Sequence, residues 1–232
     1  MKTLITYFKM MKYALQAKLI LVLTLFFFIF GIVFELLDFT RAGSSYSLAA
    51  LYLALTGMYF YQLVFSSTVS KLVQSSPLKK KLQTSGPILA SLILSLLVFA
   101  IYVVIRLFRI TPEFLEENET SYAQGYSTIL FMGVCIFVFF IYLAFSYKTY
   151  IFSLIFVGVT IIGILGFGMT TTSLVTLAEK LLINGNNPIL IIMVSAVLIV
   201  LGAVLGYIIS LLLYKKPISD LAVRYALRQA SK

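Results

Sequence analysis

Few residues in this chain can do bond-making chemistry, and they stand far apart. The sequence has no histidine. That removes Ser-His-Asp triads, histidine-ligated metals and imidazole acid–base work. A single cysteine, Cys135, excludes an intramolecular disulfide and any cysteine-based metal cluster. Glu116 and Glu117 are adjacent carboxylates, but they lie in a polar stretch with no group beside them to complete a site. Asp38 and Asp220 sit far apart in the chain, and no G-x-x-x-x-G-K-[ST] run is present to cradle a nucleotide. The chain is therefore not read as an enzyme. It holds no cofactor or metal of its own, and any energy it uses comes from another polypeptide.

The stretch with the strongest chemical character is instead basic: Lys71-Leu72-Val73-Gln74-Ser75-Ser76-Pro77-Leu78-Lys79-Lys80-Lys81-Leu82-Gln83-Thr84-Ser85-Gly86-Pro87. A charge at the centre of a membrane helix costs roughly 2.5–3.5 kcal/mol. The segment thus lies outside the bilayer, and the positive-inside rule places it in the cytoplasm. Ser76 suits an N-cap, Pro77 a first helical position, and Leu78 and Leu82 one apolar edge of a short helix. Thr84-Ser85-Gly86-Pro87 is expected to break that helix. Two readings stand side by side: a docking handle for a soluble partner, and a solvated basic loop that only sets topology.

The elements around this stretch are apolar. Of 232 residues, 61% are hydrophobic and 11% charged, against roughly half and a quarter in soluble domains. The net charge of +10 is explained by lysines flanking membrane spans rather than by nucleic acid, for which no role is read. Residues 2–18 form an amphipathic pattern, with Leu4, Tyr7, Phe8, Met11, Ala14 and Leu15 opposite Lys2, Lys9 and Lys12; such a helix lies in the membrane interface. Six spans follow at about 19–37, 47–67, 88–105, 127–145, 151–168 and 189–213, each long enough for a hydrocarbon core of roughly 30 Å. The first is read as retained rather than cleaved.

Glu35, near the outer end of the first span and close to Asp38 and Arg41, is read as a snorkelling or locally paired carboxylate. No span is expected to hold an ionisable residue near its middle, which argues against ion-coupled carriers. Residues 170–187 are too short to cross but too apolar for a loop, as in a re-entrant or interfacial helix. Gly202 and Gly206 form a GxxxG pair on the sixth span, a helix-packing face read as packing within one subunit. Residues 214–232 form a basic tail. With both ends inside, 14 of the 18 basic residues fall on the cytoplasmic side, and Arg41, Arg106, Arg109 and Lys180 fall outside with every acid but Asp220. The expected fold is thus an all-α integral membrane protein, a single 1–232 unit with six spans and cytoplasmic termini.

This order of parts resembles the permease subunit of a type-2 ABC transporter, the exporter-like class. The resemblance rests on the interfacial first helix, the basic loop between spans two and three, the tight 146–150 turn and the semi-apolar outer segment. The text Gln74-Ser75-Ser76-Pro77-Leu78-Lys79-Lys80 is similar to that family's small-residue–Pro–Leu–basic pattern. The resemblance implies that 69–82, within the 69–86 loop, carries an ATPase-coupling helix, with Lys71, Leu72, Gln74, Ser75, Ser76, Pro77, Leu78, Lys79 and Leu82 as its contact residues. It implies a soluble ABC-type ATPase as partner, which binds ATP and Mg, and a second permease copy, identical or a sister. It also implies a multi-pass place in the cytoplasmic membrane and export of an amphipathic or hydrophobic substrate such as a peptide, toxin, drug or lipid. The alternatives are the substrate-binding membrane subunit of a vitamin importer and a non-transporting scaffold or immunity protein.

Overall fold

The computed structural model describes residues 17–37, 47–66, 79–112, 121–146, 148–149, 151–153, 155–156, 158–160, 163, 172–182 and 187–220. Seven helices are defined among them: α1 Ala17–Leu37, α2 Leu48–Ser66, α3 Lys79–Gln83, α4 Ser85–Arg109, α5 Tyr122–Ser146, α6 Thr172–Leu181 and α7 Ile189–Leu213. Residues 151–153, 155–156, 158–160 and 163 are also helical. Four helices, α1, α4, α5 and α7, are long and apolar enough to cross a membrane. The chain is an all-helical, multi-pass membrane protein, and no strand occurs among the described residues.

Helix formation here follows from the solvent. In lipid every backbone N–H and C=O must be satisfied within the segment, so apolar runs of this length have no alternative to a helix. Polarity is then distributed inside out. α4 buries Ser91, Ser95, Tyr102 and Arg106 on one face and presents Leu89, Ile93, Leu97, Ile101, Val104 and Phe108 outward. α7 buries Ile191, Ser195, Ile199, Gly202, Gly206 and Ser210, and its exposed face is Met193, Val197, Val204, Leu205 and Leu212. An apolar outer face matches lipid tails, which leaves packing and hydrogen bonding to bring helices together.

α5 is the centre of the bundle and the most buried of the four long helices, packed by α2, α4, α6 and α7. α1 is peripheral; it packs along α2 and buries only Ile20, Gly31 and Glu35. Neighbour pairs fix the directions. Gly31 meets Leu53, and Phe27 stacks on Tyr59 at 4.9 Å while Phe34 lies 5.3 Å from Tyr52, so α1 and α2 run antiparallel. α2 and α4 are also antiparallel: the Ser91 hydroxyl donates to the Gly57 carbonyl at 2.9 Å, while Ser47, at the start of α2, lies beside Tyr102, further along α4. α5 and α7, by contrast, run parallel. Gly133 lies against Ser195, Phe137 against Gly202 and Phe140 against Gly206, advancing together along both helices.

Interhelical hydrogen bonds of this kind contribute on average about 0.6 kcal/mol in membrane proteins. Ser91→Ala is accordingly expected to destabilise by about that amount, read as a small drop in thermal midpoint in detergent.

Two boundaries differ from the sequence expectation. Thr84-Ser85-Gly86-Pro87 does not separate the short basic helix from the next span. Only a one-residue turn at Thr84 divides α3 from α4, and Pro87 sits in the first turn of α4, where its missing N–H costs no intrahelical bond. The helix of the third span also runs on to Arg109, through both arginines that had been assigned to an outer loop.

Candidate functional site

The antiparallel order gathers one end of α1, α2, α4 and α5 around a buried charge pair. Glu35 comes from the last turn of α1, and Arg106 from the last turn of α4. Arg106 Nη1 donates to Glu35 Oε1 at 2.8 Å, and Arg106 Nε donates to the Gly125 carbonyl of α5 at 3.2 Å. Glu35 is 2% exposed and Arg106 5%. Tyr102, wholly buried and one turn before Arg106, points its hydroxyl beside Thr128 and Ser47 and within electrostatic reach of both charges. Ser47 caps the start of α2, accepting from the Ala50 N–H at 3.2 Å, and Thr128 donates to the Gly125 carbonyl at 2.9 Å. One network thus ties α1, α4 and α5, with hydroxyls from α2 and α5 around it.

This placement corrects the expectation for Glu35. It is buried, and its partner among the described residues, Arg106, lies 71 residues away; Asp38 and Arg41 lie outside the described residues. A carboxylate and a guanidinium can both remain buried here because each offsets the other's desolvation and Arg106 has a backbone acceptor as well. It also puts Arg106 within the helix of the third apolar run rather than beyond its expected end at residue 105; both ionisable groups sit near the ends of membrane-crossing helices, not at their middles.

The opposite end of the bundle is basic. Lys18 opens α1; Lys79, Lys80 and Lys81 form most of α3; Lys148 follows α5; Lys215 and Lys216 follow α7. The helix directions established above bring these seven lysines to one end. Lys148 Nζ donates to the Lys216 carbonyl at 2.7 Å, joining the ends of α5 and α7. Burial and the nearby charge of Lys79 together hold the Lys148 ammonium below the usual lysine range. In α3, Leu82, Gln83 and the following Thr84 are buried, and Thr84 Oγ1 donates to the Lys80 carbonyl at 2.8 Å.

Comparison with family models, curated proteins and solved structures finds no match to this chain. The functional reading therefore rests on the residues alone.

Of the residues expected to couple to an ATPase, Lys79 and Leu82 belong to α3, with Lys79 part-exposed and Leu82 buried. Lys71, Leu72, Gln74, Ser75, Ser76, Pro77 and Leu78 lie outside the described residues, as does the interfacial helix expected up to residue 16. Gly202 and Gly206 face Phe137 and Phe140 of the same chain: a Cβ on Gly202 would come within 2.7 Å of the Phe137 Cα. The segment expected to be re-entrant contains α6, which packs on α5 and buries Ala178. No cluster of three potential metal ligands occurs among the described residues. The residues that sequence reading missed are Arg106, Tyr102 and Gly125. A signal for the first two was present, since Ser91, Ser95, Tyr102 and Arg106 recur at helical spacing.

Proposed function

We propose that this chain is the membrane-spanning permease subunit of an ATP-driven exporter similar to type-2 ABC permeases, with six spans and both termini in the cytoplasm. The observation that carries the reading is the gathering of Lys18, Lys79, Lys80, Lys81, Lys148, Lys215 and Lys216 at one end of the bundle. By the positive-inside rule that end is cytoplasmic. The parallel run of α5 and α7 supports the span count. The chain leaves α5 at one end and begins α7 at the other, so it must recross the bilayer between them. The apolar run 151–168 is the stretch of that interval long enough to do so.

In this reading a soluble ATPase docks on 69–82 from the cytoplasm. Its closure on ATP pushes α3, which passes the movement to α4 across the single turn at Thr84. α4 then acts as a rod. From Ser85 to Arg106 it spans about 30 Å at 1.5 Å per residue, and at its far end it grips α1 through Glu35 and α5 through Gly125. A push at the cytoplasmic end thus reaches three helices at the outer end, which is what alternating access requires. The cargo class is amphipathic or hydrophobic, in keeping with 20 Phe and 15 Tyr and few polar side chains.

The test is a mild-detergent pull-down from the native host with mass spectrometry of what co-purifies. A stoichiometric ABC-type ATPase is expected. Recovery of the chain alone, or with an unrelated membrane protein, overturns the exporter reading in favour of a scaffold. With the complex in hand, Pro77→Ala combined with Leu78→Ala is expected to bring substrate-stimulated ATP hydrolysis down to its basal rate while insertion is unchanged. Normal stimulation in that variant would remove 69–82 from the coupling role.

A further inference from the structure

We propose that the lysine-rich end of the bundle carries a seat for the phosphate of an anionic phospholipid, formed by Lys148 and Lys79 at the end that α3, α5 and α7 share. The seat requires only that the helices cross a membrane and is independent of the transport reading.

Lys148 follows the last turn of α5, and its ammonium is fastened to the Lys216 carbonyl at 2.7 Å, so it is held in place rather than free to sweep through solvent. It is partly buried, and Lys79 lies close enough for the two charges to repel. Among the described residues neither lysine has an acidic partner within ion-pair distance; the ion pair found there is Arg106–Glu35, at the other end. The one described acid at the basic end, Asp220, is exposed. Two ammonium groups within electrostatic reach at partial burial, with no described carboxylate paired to either, leave an unmet electrostatic demand.

A further demand lies on the same helix. Gln83 is four residues beyond Lys79, hence on the same face of α3, and it is buried with neither amide atom hydrogen-bonded. Buried amides are normally satisfied; here the Gln83 NH2 is left as a spare donor, which a phosphate oxygen would satisfy, and its carbonyl oxygen as a spare acceptor. Position names the ligand. Lys148 stands two residues beyond the end of α5, and Lys79 stands one short helix before the start of α4, in the zone where phospholipid headgroups lie. Basic pockets between helices on the cytoplasmic side hold anionic headgroups by this chemistry.

The experiment uses the full chain purified in mild detergent. Its thermal midpoint is followed while short-chain phosphatidylglycerol, short-chain phosphatidylcholine or inorganic phosphate is added. Phosphatidylglycerol is expected to raise the midpoint saturably, and the other two are expected to do little. Lys148→Gln and Lys79→Gln should each weaken the apparent affinity about fivefold, from roughly one lysine's attraction to an anionic surface, while Lys148→Arg should keep it. A purely structural role for Lys148, through its bond to Lys216, would lower the midpoint equally in all lipids and leave the phosphatidylglycerol increment intact. That result overturns the proposal. So does equal stabilisation by inorganic phosphate, which would indicate a free-anion site, or by phosphatidylcholine, which would show that charge is not read. If the lysines instead serve an acidic protein surface, the variants lose partner binding with no change in the lipid increment, which also overturns it.

Discussion

Glu35→Ala is expected to destabilise the protein by about 3–5 kcal/mol, the usual cost of leaving one member of a buried ion pair alone. Arg106 would keep the Gly125 carbonyl but lose the carboxylate that compensates its charge, in a pocket where it is 5% exposed. Arg106→Ala should cost a similar amount, because it strands Glu35. The informative comparison is Glu35→Leu with Arg106→Met. Removing both charges and filling the space is often neutral or stabilising, and the Gly125 carbonyl still accepts from Thr128. The double variant should therefore recover most of the loss.

The chain itself supplies the probe. It has no tryptophan but a single cysteine, Cys135, fully buried in the core. A thiol-reactive fluorogenic dye thus reports unfolding at one site. The single variants should drop the midpoint by about 10 °C, and the double variant should return close to the starting value. If the double variant is as unstable as either single one, the pair contributes stability that packing cannot replace. Under the proposed function, transport measured on a stable double variant then tests whether the link between α1, α4 and α5 is needed for movement.

Gly202→Ala should destabilise by about 1–3 kcal/mol, the range for overpacking a close contact, although alanine is the better helix former. The added Cβ would stand 2.7 Å from the Phe137 Cα and 3.0 Å from the Phe137 carbonyl oxygen. Both are backbone atoms of α5, so no rotamer change relieves the clash and the two helices must part. Gly206→Ala meets the Phe140 carbonyl oxygen at 3.0 Å and should cost less. Gly158 and Gly163 are the controls: both are helical, and among the described residues nothing lies within 4 Å of a Cβ built there. The same substitution at those positions should be neutral or should gain up to roughly 1 kcal/mol from backbone entropy. Opposite signs from one chemical change would locate the α5–α7 contact; uniform gains at all four glycines would mean that the helices do not approach so closely.

The membrane class and the helical content were legible because they depend on composition and run length. Apolar stretches of this length with few charges have one stable conformation in lipid, and the ends of α1 and α7 follow the apolar runs closely. The basic end was legible too, since lysine cannot be carried into the hydrocarbon core. Span ends marked by charge were less secure. A rule that stops a span at its first arginine placed Arg106 outside, whereas the helix continues past it because Glu35 waits inside the bundle. The polar stripe Ser91, Ser95, Tyr102, Arg106 did point inward, but a stripe names a face and no partner.

Glu35 marks the division most clearly. From composition and order alone this chain had to be a bundle of membrane-crossing helices with most of its lysines on one side, because every residue that dictates this acts through its own contact with lipid or water. Which carboxylate would meet which guanidinium was beyond that reading. Glu35 and Arg106 are 71 residues apart, and each alone reads as an interfacial charge at the end of a span. Their contact exists because α1, α2, α4 and α5 alternate in direction, so that the last turns of α1 and α4 and the first turns of α2 and α5 arrive at the same end. The parallel seating of α7 on α5 has the same origin: the glycines were visible in the sequence, but which backbone would fill the gap they leave is a property of the packed bundle.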